Sequence, residues 1–326
     1  MILHKNKESF IQALAETAAY FNIAAALVEK DYFVTLILRE INQRAPGLLF
    51  KGGTSLSKCY KIIDRFSEDI DLSVDTRGCS RTQNDKRLER AAKKYVSLPR
   101  DAAQGRTNRS EVIAVYTYNP VTSFDENDAL QRFGKLKVEA TSFTISEPVD
   151  TLEVSAMLYN LATEEQKKVL ETVYEIKPFS IQTITLERIF IDKLFAAEAY
   201  VRNSEINHRA FEAAKHIYDI AVIADHPKIC ALLADKDRMG QLLEIRMTEE
   251  RERLDGIPGI CPIDFIFFTQ TGDNEAVQKA YATMQNQYVL RDCDRIDFES
   301  AAKALTEIQQ RLLENTAWTD CKNQME

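Results

Sequence analysis

Apolar positions along this chain recur with two different periods, and the place where one gives way to the other divides it. From about Lys7 to Arg44 the pattern predicts two helices; the second carries Val28, Tyr32, Phe33, Leu36 and Ile37 near one face. Gly47 to Phe50 is a short apolar run and predicts a buried strand. Gly52-Gly53 interrupts it, and Leu56, Tyr60 and Ile63 follow at helical spacing, so a helix is expected to begin at the glycines. Ser67 to Val74 alternates with period two: Ile70, Leu72 and Val74 share one face, and Asp69, Asp71 and Ser73 the other. Val112 to Tyr118, rich in β-branched and aromatic residues, predicts a further strand. Gly134 to Ala140 alternates again, with Leu136, Val138 and Ala140 opposite Lys135, Lys137 and Glu139. After Pro178 the period turns helical. Thr185 is placed to cap a helix to about Arg202, and Asn207 one to about Ala224, with Pro227 just past its end. Gly256 to Gly259 reads as a loop, and helices are expected from Glu275 to Leu290 and from Asp297 to Leu313. The expected fold is α/β (α+β): a mixed sheet with leading helices over residues 1–180, then a helical region over 181–326.

Charge and cysteine usage refine this outline. No stretch approaches the ~20 consecutive apolar residues of a membrane span, so no membrane partner is expected. Met1 to Phe10 is charged and has no apolar run followed by a cleavage site; no secretory signal and a cytoplasmic location are expected. Cys59, Cys79, Cys230, Cys261, Cys293 and Cys321 are scattered without a C-x-x-C pair, and are expected to be ordinary free thiols. A formal net charge of −8 argues against a protein that coats nucleic acid by charge alone. The sign is uneven, however. Arg77, Arg81, Lys86, Arg87, Arg90, Lys93, Lys94, Arg100, Arg106 and Arg109 follow one another with only Asp85, Glu89 and Asp101 between them. Such a segment is either a solvated helix face or a surface for a polyanion.

The chemistry concentrates between Lys51 and Leu72. Glycines at a strand-to-helix junction, here Gly52 and Gly53, let backbone N–H groups approach phosphate closely. Two aspartates at i and i+2 on a strand, Asp69 and Asp71, put both carboxylates on one face. Magnesium takes oxygen ligands and is commonly held by one or two carboxylates plus substrate phosphates. An in-line phosphoryl displacement calls for a third acidic ligand, and Glu139, on the polar face of the second alternating strand, is the best placed. Either motif alone is common on ordinary surfaces; their ordered combination carries the reading.

The run from Phe50 to Tyr60 (FKGGTSLSKCY), continuing through Arg65 to Leu72 (RFSEDIDL), closely resembles the AbiEii/AbiGii nucleotidyltransferase toxin family. Val28-Glu-Lys-Asp-Tyr32, Leu186-Glu-Arg-Ile-Phe190 with Lys193, and Lys215-His-Ile-Tyr-Asp-Ile220 resemble it more loosely. The resemblance implies a polymerase-β-like core followed by helices, and the toxin half of a toxin–antitoxin and phage-defence system. It implies Mg2+, or Mn2+, with a nucleoside triphosphate as donor and an RNA, most simply tRNA, as acceptor. It also implies an antitoxin that need not make direct contact. By residue, it implies catalytic roles for Asp69 and Asp71 as metal ligands, for Lys193 in neutralising triphosphate charge and for Asp219 in completing the site from a helix; Glu139 joins them as a catalytic and metal-binding acid on the strength of its strand face alone. Nucleotide would be bound by Gly52, Gly53, Thr54, Ser55, Arg65 and Ser67.

The residues bear on two of these roles directly. Lys193 interrupts the apolar stripe of Leu186, Phe190 and Ala197, and a buried unpaired ammonium is costly, so it either serves the triphosphate or snorkels to water. Asp219 lies four residues after Lys215, which allows a plain surface pair as well as a functional one. Two other functions stay open at this level: nucleotidyl transfer to a small hydroxyl compound, which would not need the basic segment, and nucleotide binding without turnover.

Overall fold

The structure is a computed structural model that describes residues 2–45, 47–67, 69–108, 110–124, 133–142, 147–206, 208–252 and 261–321. The chain forms two compact units. One comprises Met1–Tyr60 and Phe66–Thr183, the other Lys61–Arg65 and Ile184–Glu326.

The first unit opens with helices α1 (Lys7–Phe21) and α2 (Ala25–Arg44). Asn6 caps α1 through Ser9 N, and Asn22 ends it in the left-handed conformation, a role Asn fills well. Strand β1 (Leu49–Lys51) leads into α3 (Gly52–Ser55) and a π-helical turn, Leu56–Tyr60. The helix expected at the glycines is present but stops at Tyr60, before Ile63. Strand β2 (Ile70–Ser73) follows. The basic excursion becomes helix α4 (Arg81–Lys93) and strand β3 (Arg100–Thr107); Ser80 and Gln83 close a reciprocal capping box at the start of α4. Then come β4 (Glu111–Thr117), β5 (Lys135–Thr141), β6 (Val149–Val154), α5 (Met157–Leu161), α6 (Glu164–Val173) and β7 (Phe179–Ile184).

The seven strands form one mixed sheet in the order β3-β4-β5-β2-β1-β7-β6. β2 is antiparallel to β1 and parallel to β5, and β4 is antiparallel to β5. The alternation expected of β2 and β5 sets the register. Ile70, Leu72, Leu136, Val138 and Ala140 are all fully buried, which leaves Asp71 and Glu139 side by side on the opposite face. β7 corrects the expectation that the chain turns helical directly after Pro178. It pairs parallel to β1, and Thr183 Oγ1 donates to the Phe50 carbonyl at 2.8 Å. Six residues with Ile181 and Thr183 inward are too short to stand out before a long helix.

Helix α2 is buried on nearly every side, including its acidic residues. Each of these acids has a fixed partner. Glu29 accepts from the amides of Val121 and Thr122 at 2.8 and 3.2 Å. Asp31 takes Lys58 Nζ at 2.5 Å and the Met157 amide at 2.8 Å. Glu40 accepts from the amides of Val96 and Ser97. The Val28–Tyr32 motif thus fastens loops and the π-helical turn to the core, because buried carboxylates require such partners.

The second unit contains α7 (Leu186–Arg202), α8 (Arg209–Ile223), α9 (Pro227–Ala234), α10 (Lys236–Glu252), α11 (Phe267–Gln270), α12 (Glu275–Tyr288), α13 (Phe298–Leu313) and α14 (Thr316–Thr319). Helix α8 packs against α7, α12 and α13 around Phe190, Leu194, Ile217, Ile220, Tyr281 and Leu305. Thr185 caps α7 as expected, through Arg188 N. Asn207 and the segment 256–259 lie outside the described residues. α8 instead begins after His208, whose side chain makes no capping bond. Pro227 opens α9 rather than merely following α8, since its missing N–H costs nothing in a first turn.

Two further differences concern side chains. Arg188 is completely buried and is held by Asp192 at 2.9 Å and Glu249 at 2.5 Å. Cys261 and Cys321 are joined as a disulfide, which corrects the expectation of free thiols. The two are 60 residues apart with no local spacing signature, and the packing of α14 brings their Cα atoms to 6.6 Å. Among the described residues no single helix is long and apolar enough to cross a membrane.

Candidate active site

Within the first unit, the sheet assembles the Asp-x-Asp pair and Glu139. In register, Asp71 stands between Lys51 of β1 and Glu139 of β5. Gly52 has φ +75°, a conformation that side chains resist, and a Cβ built there would lie 2.2 Å from Asp71 Oδ2. The Asp71 carboxylate therefore rests directly against the glycine backbone. Gly52→Ala is expected to cost about 1–2 kcal/mol for the left-handed backbone alone and to push the Asp71 side chain aside. Thermal unfolding of the purified variant checks the first part, and unchanged stability would show that the turn relaxes freely.

Thr54 and Ser55, expected on nucleotide, are buried and spend their hydroxyls inside the unit. Thr54 Oγ1 donates to the Asp69 carbonyl at 2.5 Å and is 2.7 Å from Ser67 Oγ, while Ser55 Oγ donates to the Gly52 carbonyl at 2.8 Å. These bonds tie the start of α3 to the backbone of Asp69, and so fix the glycine turn against the Asp-x-Asp strand. Gly53 is half-buried beside them.

Burial and the adjacent Glu139 and Asp69 carboxylates push Asp71 up to about 7, against the opposing pull of Lys137 and Lys51. Three acids on one face carry more negative charge than the local lysines offset. Lys137 is the group that sequence reasoning passed over. Its Nζ lies 2.8 Å from Asp69 Oδ2 and 3.6 Å from Glu139 Oε2. The available signal was its place two residues before Glu139 on the same strand face. Burial disfavours its charged form, but the Asp69 and Glu139 carboxylates outweigh that and hold its pKa above the usual lysine range.

Among the described residues, no group of three or more His, Cys, Asp or Glu side chains stands as a finished metal-ligand set. Asp69 and Glu139 are instead turned towards Lys137. The donor chemistry nevertheless suits a hard divalent cation: the groups are all carboxylate oxygens, they are partly exposed, and their mutual repulsion is only partly relieved.

Arg65, Lys193 and Asp219 belong to the second unit, where they form their own cluster. Arg65 grips Asp219 with Nε at 2.6 Å and Nη2 at 2.7 Å, and Lys193 Nζ donates to Oδ2 at 2.6 Å. Asp219 has no exposed surface, and the two cationic side chains are 5% exposed. Burial alone would raise the Asp219 pKa, but the charges of Arg65 and Lys193 reverse this and hold the carboxyl well below the usual range. The surface pairing open to Asp219 is not made; Lys215 pairs with Glu212 at 2.7 Å. His216 stacks on Tyr200.

Of the basic segment, Arg77 pairs with Asp75 and Glu147, Arg106 with Glu111, and Lys93 with Glu89. Arg81, Lys86, Arg87, Arg90, Lys94 and Arg100 are exposed, and Arg109 lies outside the described residues.

The solved structure of JHP933 from Helicobacter pylori aligns at 15% identity and TM-score 0.42, covering 91% of this chain and 98% of that one. MenT4, a nucleotidyltransferase toxin from Mycobacterium tuberculosis, aligns at 12% identity and TM-score 0.41, covering 92% and 98%. No curated protein matches. The family model described as "Nucleotidyl transferase AbiEii toxin, Type IV TA system" matches residues 36–304, a span that takes in both the glycine turn with its Asp-x-Asp strand and the Arg65–Lys193–Asp219 cluster. On that match over most of its length, the chain belongs to the AbiEii nucleotidyltransferase toxin family of type IV toxin–antitoxin systems.

Proposed function

We propose that this nucleotidyltransferase moves a nucleotide from a nucleoside triphosphate to a hydroxyl of an RNA, most simply tRNA, and halts growth by doing so. We further propose that the reaction depends on Mg2+, with Mn2+ as a substitute. The carrying observation is the carboxylate face of the first unit, where Asp71 lies between Glu139 and Lys51 and against Gly52. Asp69 and Asp71 would hold the metal, with Glu139 as the third acid. Bound there, Mg2+ would supply charge stabilisation for displacement at the α-phosphate.

The chain's own groups have defined parts in this reading. Gly52 keeps Asp71 pressed against the turn, and the Thr54 bond to the Asp69 carbonyl fixes the spacing of turn and strand. Lys51 and Lys137 bring positive charge to the face on which a triphosphate would lie. An RNA acceptor is favoured by the exposed cations of α4 and its flanks, since phosphate contacts position nucleic acid without reading sequence. A small-molecule acceptor gives no reason for that surface. The antitoxin is read as opposing the product or its effect, with no required contact.

The test is a transfer assay with total cellular RNA, Mg2+ and each α-labelled nucleoside triphosphate in turn. Wild type should label a tRNA-sized band, and the Asp69→Ala/Asp71→Ala protein should not. Reversing the charge of Arg87, Arg90 and Lys94 together should weaken labelling at least about tenfold at low salt, with the gap to wild type narrowing as salt is raised. Label arriving in protein or a small molecule would remove the RNA acceptor; label in RNA from the double variant would remove the assigned site.

A further inference from the structure

Strand β5 brings a cation to the acids of the first unit. Lys137 and Glu139 share one face, and in register Lys137 lies beside Val115 of β4 and Glu139 beside Ile113. The β4 residues directly beside Lys137 and Glu139 are thus apolar. On the β2 side the ammonium meets Asp69 at 2.8 Å and Glu139 at 3.6 Å. Lys51 lies beside Asp71 on β1, at the other side of the acidic face.

A divalent ion on Asp69 would share that carboxylate with the Lys137 ammonium, which sits 2.8 Å from Oδ2. Two cations on shared oxygens repel strongly at such separations. The lysine side chain is 38% exposed, so its ammonium can swing into water at small desolvation cost. We infer that Lys137 is a resident counter-ion that must leave Asp69 before the divalent metal binds, and that it thereby sets the free metal concentration the enzyme requires. The inference rests on the proposed metal role of Asp69. In the metal-free protein the lysine keeps Asp69 and Glu139 from repelling each other; in the loaded protein it is released and its charge is free for a phosphate of the donor. Lys137 is in these terms a positioning residue, acting through Asp69 and Glu139.

The experiment is Mn2+ titration of the full-length protein, followed by the electron paramagnetic resonance signal of free Mn2+, without nucleotide. Lys137→Met should bind Mn2+ about tenfold more tightly than wild type, equivalent to about 1.4 kcal/mol. Lys137→Arg, which keeps the charge, should stay within about threefold of wild type. The thermal midpoint provides a second readout: without divalent ions Lys137→Met should melt below wild type, and added Mn2+ should raise it more than it raises wild type. Equal or weaker Mn2+ binding by Lys137→Met would overturn the inference while leaving the metal site standing. Undiminished Mn2+ binding by Asp69→Ala would overturn the metal site itself, and the inference with it.

Discussion

Asp71→Asn is expected to reduce nucleotidyl transfer on the order of a thousandfold at saturating Mg2+, equivalent to about 4 kcal/mol of transition-state stabilisation. The same change should leave the protein as stable as wild type, or more so. The side chain is nearly isosteric, so its packing against Gly52 survives. What disappears is one of three mutually repelling carboxylates, the one that its neighbours and burial already push up to about 7. A functional carboxylate held at a cost to stability should show these opposite signs in the two assays. Initial rates with saturating donor, set beside thermal melts of both proteins, decide it. Activity within tenfold of wild type would remove Asp71 from the chemistry.

Asp219→Asn should fail in the opposite manner, through the fold. The carboxylate has no exposed surface and answers two cations that are themselves almost wholly buried. An amide keeps an acceptor oxygen but not the charge, so the buried Arg65 and Lys193 lose the carboxylate they share. Breaking buried ion pairs by removing one partner typically costs about 3–5 kcal/mol. The melting transition that reports on the second unit is expected to fall by about 10 °C. Calorimetry measures this directly, and a shift under about 2 °C would mean that water or a neighbouring group compensates. The pH dependence carries the same sign. The folded pKa of Asp219 is depressed, so the stability it contributes is complete above the ordinary aspartate value of about 3.9. It is lost progressively as the pH falls below that towards the folded value. Acidification should therefore narrow the gap between wild type and Asp219→Asn.

Alternating strands were the most legible part of the sequence. β2 and β5 each bury one face completely, so period two fixes both the strand and the side on which Asp69, Asp71 and Glu139 emerge. Lys193 was legible only as an oddity: an ammonium set into an apolar stripe is costly without counter-charge, but its bond to Asp219, 26 positions away, left no local sign. The edge strands were not legible. β3 is exposed along almost its whole length and carries Arg100, Asp101 and Arg106, a composition that discourages pairing with other chains but erases the apolar alternation. β6 at the other edge alternates only between exposed and half-buried positions, except at Val154. Partnerships between distant residues left no local trace either. The bond from Arg65 to Asp219 spans 154 positions, and the link from Cys261 to Cys321 depends on helices whose packing no short window encodes.

The grouping of Lys61–Arg65 with the second unit has a consequence for how the protein is made. A ribosome releases these five residues well before α8, which carries the aspartate that Arg65 must meet. Until α8 emerges, the guanidinium has to wait in water, and the second unit cannot finish, because its first piece precedes the rest by more than a hundred residues of the other unit's sequence. A protease cut or gene split after Thr183 would accordingly give a C-terminal fragment short of one strand-like bridge, from Arg65 to Val289, and of the bidentate grip on Asp219. Such a fragment should be recovered folded only when the N-terminal piece is supplied alongside it, which makes the two halves of a split gene candidates for a complementation pair.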